Sequence, residues 1–278
     1  MSFLIRSLLG SAAVLALVAC VHRPNILLPK ILPSPAARSC AYIWPKYVGW
    51  SGRNRVAPPC HEPVPQAALL RGLNASVQVW AWSRTAISPN IFVSGWALGT
   101  GVVVRDDGTV ITAYHVVDSA TDVKVRYPAW QSDGTYGSGE EVFMTVAKTS
   151  PANDSAWLIP KQAPTGPVPP PLVVCRRWPT HGQVLWHIGS EIAWSIGYVG
   201  VTPMSFQAQE SPQVVRGFDL RTLGRPGDSG GPVFDAQARL FGLYVGANTK
   251  HHLSGCAISV DAALTAMGEH AQYEEKCD

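Results

Sequence analysis

Charge is scarce in this chain. Asp, Glu, Lys and Arg make up 15% of its 278 residues, and the formal net charge is +3. That balance offers no basic face for phosphates, so a nucleic-acid partner is not expected. No apolar run reaches the eighteen or so residues of a membrane-spanning helix. No C-x-x-C pair occurs, which argues against a structural zinc site, and neither a metal nor a cofactor is expected. Gly99-Thr100-Gly101 reads as a turn and not as a phosphate cradle, because no helix pattern and no lysine follow it. Internal repeats are missing too. Against these absences stands a hydrophobic content of 46%, enough for a packed core in one large domain or two small ones. Gly 25 and Pro 23 are high for a helical protein and suit many strands joined by turns.

The N-terminus is a segment apart. Met1 to Arg6 carries one positive charge, and the apolar stretch Leu8–Ala19 leads to Cys20. This is the layout of an export signal, with a short apolar centre and small residues before cleavage. Leu17-Val18-Ala19-Cys20 resembles the bacterial lipobox. The resemblance implies a signal over 1–19, cleavage before Cys20, and diacylglycerol on its sulfur together with fatty acylation. Val21, in place of Asp, implies by the same resemblance the periplasmic side of the outer membrane in a two-membraned bacterium. Residues 20–65 are rich in proline, which withholds backbone donors and restricts its neighbours. They read either as a tether or, given Trp44, Tyr47 and Trp50, as a segment that packs against the domain after it. Cys40, Cys60, Cys175, Cys256 and Cys277 would meet an oxidising compartment, where disulfides persist. Five is an odd number, so at least one is unpaired within the chain; Cys40 with Cys60 is the local pairing expected.

From residue 66 onward the pattern changes. Ala67–Leu73 suggests a short helix. Val77, Val79 and Ala81 alternate as a strand does. The stretch from Gly95 to Val117 reads strand, tight Asp107-Gly108 turn, strand. Further strands are expected in Val142–Thr149, Ser155–Pro160, two or three segments of 183–201, Gln213–Leu220, Gly231–Phe234, Leu240–Gly246 and Cys256–Val260. The segment from Val260 to Glu275 is the one convincing helix, with Asp261 as its expected N-cap. Many short strands and one late helix predict an all-β barrel or sandwich over 66–278.

One decapeptide, Arg225-Pro226-Gly227-Asp228-Ser229-Gly230-Gly231-Pro232-Val233-Phe234, carries chemistry. A serine hydroxyl attacks only when a base takes its proton and donors hold the charge that develops. Among eight histidines, His115 stands out, an imidazole directly after the apolar run Val110–Ala113. Asp154, immediately before the apolar run Ser155–Ile159, is the carboxylate to orient it, although Asp in Pro-Ala-Asn-Asp also suits a plain turn. The chain order is His, Asp, Ser.

These residues carry a resemblance. Gly227–Pro232 resembles the nucleophile motif of trypsin-like serine peptidases. Thr112-Ala113-Tyr114-His115 is similar to their Thr-Ala-Ala-His, and Asp154–Leu158 to their Asp-x-Ala-x-Leu. Gly99–Val104 and His115–Asp118 look like the HtrA/Deg branch. The resemblance covers about residues 70–267 and implies two six-stranded β-barrel halves of chymotrypsin-like type with a C-terminal α-helix. It implies a serine endopeptidase: Ser229 attacking, His115 as base, Asp154 as orienter, and the amides of Gly227 and Ser229 as oxyanion hole. Val245, Gly246 and Ala247 would form the edge on which a peptide lies, and Leu223 the base of the pocket for the P1 residue. Leu223 offers no carboxylate, so apolar or small P1 residues are expected. The chain departs from the family at four places. Val116 and Arg225 replace animal disulfide cysteines. Fewer than fifty residues follow Ser229, so no PDZ domain is expected. Asp228 stands where most HtrA proteins have Asn, and Arg221, Arg225 or water are its expected partners.

Rival readings attach to the same residues. Gly227–Gly231 also fits the G-x-S-x-G elbow, but Pro232-Val233-Phe234 is no helix start. His251, His252 and Cys256 read as a loop sooner than a metal site. A catalytically silent lipoprotein that binds partner proteins is the alternative to a peptidase, with Trp130, Trp178, Trp186 and Trp194 as a binding face.

Overall fold

The computed structural model describes residues 65–88, 91–130, 136–190, 194–200, 202–207, 214–222, 224–247, 255–271, 273–274 and 277. The signal, the lipidation site Cys20, all of the tether but Pro65, Leu223, Cys40, Cys60, His251 and His252 lie outside them.

A short helix α1 (Gln66–Ala75) leads into the first barrel. Its strands are β1 (Ser76–Ser88), β2 (Ile91–Val103), β3 (Val110–Ala113), β4 (Ala120–Trp130), β5 (Tyr136–Ser150) and β6 (Ser155–Pro160). They close as β1-β2-β3-β6-β5-β4, with β4 pairing back onto β1. Alternation decides the inside: Val77, Val79 and Ala81 of β1, and Val123, Val125 and Tyr127 of β4, are buried. A single turn of helix, α2 (Tyr114–Val117), follows β3 directly.

The remaining strands are β7 (Val173–Cys175), β8 (Val184–Ile188), β9 (Trp194–Val199), β10 (Met204–Gln207), β11 (Val214–Arg221), β12 (Pro232–Phe234), β13 (Arg239–Ala247), β14 (Gly255–Ser259) and β15 (Tyr273–Glu274). Pairing runs β8 to β9, β9 to β11, β11 to β14, β14 to β13, β13 to β12 and β12 back to β8. That ring is a second closed, six-stranded antiparallel barrel. Closure leaves no long open edge among the ring strands. The fold is therefore all-β and chymotrypsin-like, with two barrels and a C-terminal helix.

Trp157, Trp186, Phe218, Phe234 and Phe241 are fully buried, and burial of each such side chain stabilises the fold by about 2–3 kcal/mol. Trp186 is therefore core and belongs to no binding face. The helix α3 (Val260–Met267) lies against β13 of one barrel and β5 of the other. It is capped by Ser259, whose hydroxyl accepts from the Ala262 amide at 3.3 Å, and not by Asp261, which sits in the first turn. Gly268, at φ 65, ends it well before Glu275. Cys175 is disulfide-bonded to Cys277, and Cys256 is the buried free cysteine among the described residues.

Candidate active site

Antiparallel register makes the first contact. β3 pairs with β6, and Ala113 lies opposite Ser155. The residues just past β3 and just before β6 therefore meet, although 39 positions separate them. His115 Nδ1 lies 2.8 Å from Asp154 Oδ2, and the His115 backbone amide donates to Asp154 Oδ1 at 3.0 Å. Both carboxylate oxygens are thus used. Asp154 is fully buried, whereas the His115 side chain keeps 22% exposure. A buried acid behind a partly exposed imidazole fixes the ring. Asp154 adopts the left-handed conformation, φ 43 and ψ 49, at the end of a 3-10 turn over Pro151–Asn153. Aspartate tolerates that region better than most residues. It is a turn Asp and the partner of His115 at once.

Ser229 reaches the same corner from the second barrel. Its carbonyl accepts from the Thr100 amide at 2.8 Å, and the Thr100 hydroxyl donates to the Gly227 carbonyl at 2.8 Å. The Thr112 hydroxyl in turn donates to the Thr100 carbonyl at 2.6 Å. Gly230, at φ 85, is pressed so close that a Cβ would lie 2.1 Å from the Thr100 carbonyl oxygen and 2.9 Å from the Ala113 nitrogen. No larger residue fits there, and the close approach sets the serine turn against the strand end that carries His115. The serine–imidazole hydrogen bond of such sites often tightens only when substrate is bound.

The turn also presents donors. Within it the amides of Asp228, Gly230 and Gly231 donate to the carbonyls of Arg225, Tyr244 and Asp228. Those of Gly227, at φ 92, and Ser229 take no such partner among the described residues. Two unclaimed amides flanking a serine suit a developing oxyanion. The Asp228 carboxylate is buried, and the chain places backbone amides on it: Ser190 N–H at 3.2 Å and Arg225 N–H at 2.7 Å. It does not face water, and Arg221 turns instead toward Asp219 and Tyr198. Of the expected substrate edge, Val245, Gly246 and Ala247 form the end of β13, with Ala247 opposite Gly255 of β14.

A second serine–histidine contact exists. His187 Nδ1 lies 3.0 Å from Ser195 Oγ, which also accepts from the Thr222 hydroxyl at 2.9 Å. Burial pushes the His187 imidazole down to about 3, with the Asp228 backbone opposing that shift. An imidazole 1% exposed, with no carboxylate bonded to its ring in the described hydrogen bonds, is a poor proton acceptor for a substrate reaction. The Cys256 thiol is pushed up to about 11, first by burial and then by Asp219, and is no rival nucleophile. Among the described residues no cluster of His, Cys, Asp and Glu could hold a metal.

Comparison with known proteins agrees with this architecture. The family model described as a trypsin-like peptidase domain matches residues 99–243, more than half of the chain. No curated protein sequence matches it. Among solved structures, the active form of the Rv3671c protease from M. tuberculosis superposes with a TM-score of 0.59 at 21% identity, over 81% of this chain and 95% of that one. Its inactive form gives 0.55 at 21% identity, over 74% and 94%. The HtrA-type protease AlgW with a decapeptide gives 0.57 at 18% identity, over 73% of this chain and 66% of that one.

Proposed function

Since the chain belongs to the trypsin-like peptidase domain family, we propose that it is an exported serine endopeptidase using His115, Asp154 and Ser229. The observation that carries this reading is the 2.8 Å contact between His115 Nδ1 and the buried Asp154 carboxylate, beside a serine turn bonded to the same barrel through Thr100.

Ser229 Oγ attacks the substrate carbonyl carbon, and His115 Nε2 takes the hydroxyl proton. Asp154 holds the Nδ1–H tautomer and stabilises the imidazolium. The carbonyl oxygen becomes an oxyanion between the amides of Gly227 and Ser229. Collapse of the tetrahedral species breaks the peptide C–N bond, and His115 gives its proton to the leaving nitrogen. Water then hydrolyses the acyl ester by the same route. The substrate lies as an added strand along Val245–Ala247. Export, cleavage before Cys20 and lipid anchoring at the periplasmic face of an outer membrane belong to the same proposal, supported by the lipobox-like sequence.

A fluorophosphonate probe tests the core of it. The wild type is expected to label covalently, and Ser229→Ala and His115→Ala are expected to lose the signal. A folded wild type that does not label would favour a protease-like protein that binds partners without cutting them.

A further inference from the structure

One aromatic ring beside the serine turn has no part in the triad. Tyr244 exchanges two backbone hydrogen bonds with the two glycines after Ser229: the Gly230 amide donates to its carbonyl at 2.6 Å, and its own amide donates to the Gly231 carbonyl at 2.8 Å. The next three residues of β13 are the edge on which the peptide would lie. The Tyr244 ring sits in a slot between two glycines. A Cβ on Gly224 would lie 1.8 Å from its hydroxyl oxygen, and a Cβ on Gly255 would lie 2.4 Å from Cε2. Neither glycine has a positive φ, so the requirement at both is space and not backbone conformation. The His187 ring closes another side, with centroids 4.4 Å apart.

The hydroxyl separates this tyrosine from an ordinary core residue. Tyr244 is 1% exposed, and its Oη is buried without a hydrogen-bond partner among the described residues. Buried tyrosines ordinarily satisfy that group. An unsatisfied hydroxyl is the cost of holding the ring in this slot, where a phenylalanine would pack without it.

We propose that Tyr244 is a specificity-determining residue: its ring fills the space between Gly224 and Gly255 and restricts the P1 residue to glycine, alanine or serine. The inference rests on the peptidase reading above. In this proposal a substrate with its carbonyl at Ser229 and its backbone along Val245–Ala247 directs its P1 side chain toward Gly224 and Gly255, since Ala247 lies opposite Gly255 and Gly224 is five residues before Ser229. That volume is already held by the protein's own ring. A P1 leucine, phenylalanine or arginine meets the ring edge, whereas a methyl or hydroxymethyl group stops short of it.

The test is a series of peptides differing only at P1 (Gly, Ala, Ser, Leu, Phe, Arg), read as kcat/KM for the wild type, Tyr244→Ala and Tyr244→Phe. Each protein is labelled in parallel with a small fluorophosphonate, which needs Ser229 and a folded site but no P1 pocket. The wild type is expected to prefer Ala, Gly and Ser. Tyr244→Ala is expected to raise Leu or Phe relative to Ala by at least about tenfold, and Tyr244→Phe to keep the wild-type order. Labelling of the wild type together with fastest cleavage after Leu, Phe or Arg overturns the pocket assignment alone. So does a Tyr244→Phe profile that shifts to large residues. Absence of labelling in the wild type removes the peptidase reading and the pocket assignment with it.

Discussion

Asp154 shows how much one residue carries. It ends a 3-10 turn in a left-handed conformation, accepts the His115 amide, and binds His115 Nδ1. Replacing it by Asn keeps the shape but turns one acceptor oxygen into a donor, which favours the wrong imidazole tautomer. Under the proposed mechanism Asp154→Asn lowers kcat by about 10³- to 10⁴-fold with little change in KM, measurable on one Ala-P1 peptide. The His115–Asp154 pair was legible because each stands at an abrupt change of residue character, a polar group hard against an apolar run; Ser229 was picked out by its glycine-rich motif. The contacts of Asp228 were legible only in part: Arg225 was expected, but as a side chain. The backbone amides of Ser190 and Arg225 bond its carboxylate, and every residue type carries an amide, so no side-chain pattern points to contacts of that kind. Tyr244 was hidden for a similar reason: in Leu240–Gly246 an aromatic reads as one more strand residue, and the glycines that make its slot lie in other segments.

At the scale of elements, β8 has a pH dependence of its own. Burial holds His187 on this strand down to about 3 against an ordinary 6.5. The unfolded chain therefore binds a proton between those values that the folded chain does not. Stability is flat above the upper value and falls as pH drops through the window. Between pH 7 and pH 4.5 the loss from this group is about 2–3 kcal/mol. Urea unfolding at the two pH values should show it, and His187→Phe should lose correspondingly less. Most strands were legible from alternation or apolar runs, while β4, β7, β10 and β15 were not. In β4 the register shifts between Arg126 and Pro128, and Lys124 and Arg126 face outward toward Glu141. Charges and a bulge proline mask the alternation of Val123, Val125 and Tyr127. The other three are only two to four residues long, and neighbours hold strands so short, not propensity. The late helix proved half as long as its pattern suggested because Gly268 in the left-handed region stops it.

For the whole molecule, the Cys175–Cys277 disulfide ties the chain end to β7 across 102 positions. A loop of that size carries a large closure entropy in the unfolded chain. Reduction, or Cys277→Ser, is expected to cost about 2–4 kcal/mol, seen as a lower urea midpoint. The barrel class followed from many short strands and the order His, Asp, Ser. The pairing of Cys175 with Cys277 did not, since spacing along the chain carries no information about which ends the sheet brings together. The second barrel closes through β8 and β12, whose partners lie 46 positions apart at Val233 and His187.

The stitch between Thr100 and the serine turn has a consequence in time. His115 and Asp154, the proposed base and its acid, are made first and belong to one barrel; Ser229, the proposed nucleophile, is made after them and belongs to the other. A chain interrupted anywhere before Ser229 holds two thirds of a blade and no edge. Under the proposed mechanism the protein is harmless while it is being built, and becomes able to cut only when its two halves have closed on each other.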